Sequence, residues 1–158
     1  MQTVLAARPA PLDLGHRERL PCAGFLSESA SAALVGRVQA ARGWPVAAAE
    51  GGLGAAATAL ASGRTPAILL LDLDGAADPL TVLEVLADLC EPGTRVIALG
   101  SWNDVGLFRR LLAAGVEDYL TKPLDEAALA EALDRPAEPL VPSAVQPGQG
   151  GRAVAVLG

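Results

Sequence analysis

The sequence predicts an α/β fold: a five-stranded parallel sheet between two layers of helices, a (βα)5 three-layer sandwich. Three observations carry this. Two apolar runs, Ala67-Ile-Leu-Leu-Leu-Asp72 and Arg95-Val-Ile-Ala-Leu-Gly100, lack polar alternation, as expected of strands covered on both faces. Segments with strand and helix patterns alternate five times between Pro21 and Asp134. An acid ends one apolar run and Lys122-Pro123 ends another, which puts both at the carboxyl rim of the sheet, where open α/β sheets bind their ligands.

Each element has its own signal. Cys22 to Ser27 is a short strand, and a helix from about Ser29 to Arg42 follows, ended by Gly43 as its C′ residue. Pro45 to Ala49 reads as a weak second strand, and the Ala-rich Leu53 to Ser62 as a helix stopped by Gly63. Strand three is Ala67 to Asp72. Asp78-Pro79 then supplies an N-cap and a proline at the first helical position for a helix reaching Cys90. Strand four is Arg95 to Leu99. Asn103 or Asp104 caps the next helix, where Val105, Phe108, Leu111 and Leu112 repeat at helical spacing before Gly115. Val116 to Leu120 is strand five, and Asp125 caps a last helix to about Leu133. At this length the flavodoxin-like strand order is the natural topology.

Composition narrows the function. The chain has 158 residues, a net charge of −6 and only 3% aromatic residues. An acidic chain without clustered cations is not expected to bind nucleic acid. Cys22 and Cys90 lack metal-ligand spacing and read as reduced core residues of a cytoplasmic protein. His16 sits alone in a polar stretch and reads as solvated. No apolar run approaches the roughly 20 residues of a membrane span, and the first residues do not resemble a signal peptide. The sequence thus predicts a soluble protein without membrane insertion. Residues 1–20 read as a flexible leader, 21–134 as the folded domain, and the Pro/Gly-rich 135–152 as an interdomain linker. Ala153-Val-Ala-Val-Leu-Gly158 reads as the first strand of a further, truncated domain.

Asp72 and Tyr119-Leu-Thr-Lys122-Pro123 resemble the pocket residues of a response-regulator receiver domain. Longer stretches are more specific: Arg95-Val-Ile-Ala-Leu-Gly-Ser-Trp-Asn103-Asp104-Val, Phe108-Arg-Arg-Leu-Leu-Ala-Ala-Gly-Val-Glu-Asp-Tyr119, Gly51-Gly52-Leu-Gly-Ala-Ala-Ala and Asp72-Leu-Asp-Gly75. With them, residues 22 to 158 resemble the atypical receiver domain of TadZ/CpaE proteins, MinD/ParA-like ATPases of Flp (tight adherence) type IV pilus assembly. The resemblance implies a P-loop ATPase domain after the linker, of which residues 153–158 look like the first strand. It also implies a cis Lys122–Pro123 bond.

Receiver chemistry transfers a phosphoryl group to an aspartate. It needs an in-line carboxylate, a divalent metal with oxygen ligands and a cation on the far side. Asp72 matches the acceptor and Lys122 the lysine. Leu26-Ser27-Glu28-Ser29 offers one acid, Glu28, where a receiver carries two, and the hydroxyl position falls on Gly100 with Ser101 beside it. Asp74 or Asp78 could supply a replacement ligand. The pocket is therefore expected to be incomplete, with an ion pair retained at the rim, no catalytic residue and no cofactor, Mg²⁺ being expected only if Asp72 is phosphorylated.

Asn103, Asp104, Phe108 and Arg109 have two readings, as helix cap, core residue and solvated charge, or as a docking face together with Trp102 and Tyr119. Without the hydroxyl at Gly100, Tyr119 is expected to hold one orientation. The resemblance implies a non-enzymatic module that dimerises, docks pilus secretion components or polar proteins, and localises an attached ATPase, plausibly at a cell pole. Two alternatives stay open: a phospho-accepting receiver acting through Asp72, and the N-terminal part of a septum-site or partitioning ATPase. A small flavodoxin-like enzyme or nucleotide binder is disfavoured, because no Gly-rich loop follows a strand at suitable spacing and one histidine builds no catalytic set.

Overall fold

The structure, a computed structural model, describes residues 19–62 and 64–135. The expected readings of residues 1–18 and 136–158, and of Gly63 as a helix stop, lie outside these residues. Among the described residues five strands alternate with five helices: β1 Cys22–Leu26, α1 Ser29–Ala41, β2 Ala48–Glu50, α2 Gly52–Ser62, β3 Ile68–Asp72, α3 Pro79–Leu89, β4 Arg95–Gly100, α4 Val105–Ala113, β5 Asp118–Thr121 and α5 Glu126–Asp134. All neighbouring strands are parallel, in the order β2-β1-β3-β4-β5. This is the flavodoxin-like, receiver-type sandwich.

The apolar runs are continuous because side chains alternate between two buried layers. Ala23, Phe25, Leu69, Leu71 and Ala98 join a core with Leu53 of α2, Leu83 and Leu86 of α3, and Leu107 and Leu111 of α4. Cys22, Leu26, Ile68, Leu70, Ile97 and Leu99 face the other way, against Val35 and Val38 of α1 and Leu129 and Leu133 of α5. Burial pushes the Cys22 thiol up to about 11, a hydrogen bond from Gln39 opposing it, so it stays protonated and inert. Cys90 is half-buried, and neither cysteine is in a disulfide.

Several boundaries differ from the sequence reading by a residue or more, and specific hydrogen bonds account for those of β2, β5 and the leader. β2 begins at Ala48 rather than Pro45, because the buried Gln39 amide takes over the backbone before it. Ala47 N donates to Gln39 Oε1 at 2.9 Å, and Gln39 Nε2 donates to Ala47 O at 3.2 Å and Cys22 O at 3.4 Å. β5 begins at Asp118, because Val116 N is spent on Leu111 O, closing α4. Arg19 and Leu20, assigned to the leader, tie onto the domain: Leu20 O accepts from Ala67 N, and the Arg19 guanidinium donates to Thr65 O and Thr94 Oγ1.

The caps fall where carboxylates stand. Asp78 accepts from Thr81 N ahead of Pro79, and Asp125 accepts from Ala128 N. Between Asn103 and Asp104, Asp104 caps α4, accepting from Gly106 N at 2.8 Å and Leu107 N at 3.3 Å. The buried stripe of α4 is Leu107 and Leu111, not Val105, Phe108 and Leu112. Val105 and Leu112 are exposed, at 65% and 41%.

Candidate functional site

The carboxyl ends of β1, β3, β4 and β5 converge on a charged pocket. Parallel pairing of β1 with β3 sets Asp72 beside Ser27, and pairing of β4 with β5 sets Gly100 against Thr121 and brings Lys122 to the rim. Lys122 N donates to Gly100 O at 2.8 Å, extending that ladder, and Lys122–Pro123 is cis.

Asp72 is fully buried and both its oxygens are engaged. Its Oδ2 accepts from Lys122 Nζ at 2.6 Å, Ser27 N at 2.8 Å and Ser27 Oγ at 2.8 Å, and its Oδ1 accepts from Asp74 N at 3.0 Å. A buried charge is tolerable only when paired and hydrogen-bonded in this way. Lys122 Nζ also lies 3.1 Å from Asp74 Oδ2, 3.0 Å from Ser27 Oγ and 3.5 Å from Glu28 Oε1. One ammonium thus serves three carboxylates. Asp74 is clasped a second time by Ser101, whose N donates to Oδ1 at 2.9 Å and whose Oγ donates to Oδ2 at 2.6 Å.

The electrostatics follow from these contacts. For Asp74, burial acts to raise the carboxyl, but the Ser101 hydroxyl and amide and the Lys122 ammonium outweigh it and hold the group below the usual carboxylate range. For Lys122, burial acts to lower the ammonium, and the bonds to Asp72 and Asp74 hold it above the ordinary lysine value. A depressed folded-state acid stabilises above its unfolded value of about 3.9 and loses that contribution as pH falls through the folded value. A raised lysine stabilises fully below about 10.4 and loses its contribution as pH rises through the folded value. The stability difference between the wild type and Asp74→Asn, followed by urea denaturation, is therefore expected to be constant across neutral pH and to shrink in strong acid. A difference that grows on acidification would contradict the sign.

The Lys122 ammonium lies among all three carboxylates, so a divalent cation bound there would have to compete with it. Among the described residues no group of three His, Cys, Asp or Glu side chains is gathered to hold a metal. Asp78, a possible replacement ligand, caps α3 instead.

Gly100 connects the pocket to the surface. A Cβ there would lie 2.7 Å from Tyr119 Oη, 3.3 Å from Tyr119 Cε1 and 3.4 Å from Asp74 Oδ1. Tyr119 occupies the space over the bare glycine and donates from Oη to Trp102 O at 2.8 Å. Burial raises its phenol, the Trp102 hydrogen bond opposing, and the nearby Asp74 and Asp72 charges raise it further, so it remains a neutral donor. Beyond it, Trp102, Asn103, Asp104, Val105, Phe108 and Tyr119 line a hollow of about 200 Å³. Arg109 is exposed on α4. The predicted residues therefore form two neighbouring groups. Asp72, Asp74, Glu28, Ser101 and Lys122 make the pocket, while Trp102, Asn103, Asp104 and Phe108 line the outer hollow. Gly100 and Tyr119 sit between them. Ser27, which makes two of the hydrogen bonds to Asp72, was not singled out from the sequence; its place directly after β1 was the one available signal.

No protein-family model matches the chain, and no curated protein matches it. Among solved structures, the pilus assembly protein CpaE of Caulobacter crescentus CB15 superposes with a TM-score of 0.63 at 35% identity, covering 76% of this chain and 95% of that one. The chain belongs to the CpaE pilus assembly family. A CpaE2 pilus assembly protein of Sinorhizobium meliloti 1021 agrees, with a TM-score of 0.61, 33% identity and coverage of 71% and 96%. A response regulator from Thermotoga maritima matches at a TM-score of 0.62 and 21% identity, covering 72% of this chain and 94% of its own, and shares the receiver fold. This CpaE-family domain therefore keeps the receiver scaffold.

Proposed function

We propose that this CpaE-family domain carries out no chemistry and works as a docking and dimerisation module of pilus assembly, through the face formed by α4 and β5. The observation that carries this is the second apolar stripe of α4. Val105, Phe108 and Leu112 follow helical spacing (i, i+3, i+7) on a helix that already buries Leu107 and Leu111. Trp102, 39% exposed, and Tyr119 flank it. Aromatic residues around a shallow hollow, with Asp104 in its lining and the exposed Arg109 next to Phe108 in the chain, have the make-up of an interface hot spot.

The occupants are a second copy of the chain and pilus secretion components or polar proteins, and the module localises an attached ATPase domain, plausibly at the cell pole. The engaged Asp72 supports a constitutive role. The Asp72–Lys122 pair favours one second reading, a phospho-acceptor on Asp72, which requires the Ser27 and Lys122 bonds to open.

The test is sedimentation and pulldown with pilus components, comparing the wild type with the Val105→Glu/Leu112→Glu variant. Self-association or capture lost in the variant, with its circular dichroism unchanged, is the expected result. A wild type that stays monomeric and captures no pilus component would remove the proposal's basis.

A further inference from the structure

We propose that the Asp74 carboxylate is a built-in anion occupying the place a phosphoryl group on Asp72 would take, so that the pocket is filled permanently by the chain itself. This rests on the docking reading above and supplies its regulation.

A phosphoryl group bound next to a carboxylate demands a cation and neutral N–H or O–H donors directed at its oxygens. Of the donors at this rim, Ser27 N, Ser27 Oγ and Asp74 N are directed at Asp72, the Ser101 hydroxyl and backbone amide at Asp74, and the Lys122 ammonium at both carboxylates. The carboxylate sits beside the acceptor it replaces: Asp74 N donates to Asp72 Oδ1, and Lys122 Nζ bridges the two side chains at 2.6 and 3.1 Å. An incoming phosphoryl dianion would find its donors taken and a like charge in its path.

Gly100 makes room for the Tyr119 side of this arrangement. A Cβ at the end of β4 would lie 2.7 Å from Tyr119 Oη, while Asp74 Oδ1, at 3.4 Å, would be in ordinary van der Waals contact with it. Asp74 thus ties the β3–α3 loop to the β4–α4 loop through Ser101, the residue next to Trp102, whose carbonyl holds Tyr119. The carboxylate in the pocket and the seat of Tyr119 are linked through the Ser101–Trp102 backbone. The face bearing Trp102, Phe108 and Tyr119 is accordingly held in one state without a modifying enzyme.

The experiment is an amide NMR titration of the full chain with beryllofluoride and Mg²⁺, a phosphoryl mimic, on wild type, Asp74→Ala and Asp74→Asn. The asparagine variant keeps the shape of the loop should the alanine variant fold poorly. The expected result is no saturable shift in the wild type, and saturable shifts at Ser101 and Lys122 in at least one variant, with affinity about tenfold or more above the wild type. Binding by the wild type equal to that of the variants overturns the proposal, because Asp74 would then be no obstacle. Absence of binding in both folded variants also overturns it, because the freed donors would not form an anion site. Neither result depends on partner capture by α4 and β5, so failure of this proposal and failure of the docking reading are separable.

Discussion

Replacing Lys122 by methionine is expected to cost the fold about 3–5 kcal/mol, the range for removing one partner of a buried ion pair. The ammonium is nearly buried, with its side chain 8% exposed, and it neutralises Asp72, which has no solvent exposure. Without it, Asp72 keeps three hydrogen bonds from Ser27 and from Asp74 N but remains a charge in a low-dielectric site, with Asp74 close by. The midpoint of urea unfolding at neutral pH measures the loss. The cause is separable from lost packing by adding Asp72→Asn in the methionine background. That second change removes the uncompensated charge and is expected to return much of the stability. A double variant as unstable as the single one would assign the loss to packing of the lysine stem instead.

Gly100→Ala is the second large effect. A methyl group 2.7 Å from Tyr119 Oη cannot be accommodated without movement, and overpacking of this kind costs about 1–3 kcal/mol. The ring has solvent to move into, so the expected relief is displacement of Tyr119 and loss of its bond to Trp102 O. With Trp44 replaced by phenylalanine, Trp102 is the remaining tryptophan, and its emission and quenching report the displacement. Tyr119→Phe removes the clashing oxygen and leaves the nearest approach at 3.3 Å, to the Cε1 of the ring, so the Gly100→Ala/Tyr119→Phe pair should recover most of the stability. Unchanged Trp102 emission in Gly100→Ala would mean that pocket and outer face are not packed as one unit.

These two residues show where sequence patterns were informative. Lys122 and Asp72 could be placed on one rim because the carboxyl ends of parallel strands share a side, so chain order and strand pattern sufficed. That Gly100 stands where a receiver carries a hydroxyl followed from the family resemblance, while the caps at Asp78 and Asp125 were legible from an acid ahead of a helical pattern. The pattern of α4 was ambiguous because the helix is apolar on two sides. Val105, Phe108 and Leu112 have as good a period as Leu107 and Leu111, and only the position of the sheet selects between them.

The sequence by itself determined the (βα)5 sandwich, the strand runs buried on both faces and the acid and lysine at their ends, because these follow from local periodicity and from the direction shared by parallel strands. Tertiary structure alone decided how the polar atoms were shared out. It placed Gln39 on the backbone before β2, Ser27 on Asp72, and Asp74 between Ser101 and Lys122. Those partners lie 8, 45, 27 and 48 positions apart, and no periodic pattern couples residues at such separations. The physical reason is that a buried polar group takes whichever donor the packed elements bring within about 3 Å, a distance set by how helices and strands meet rather than by either segment alone.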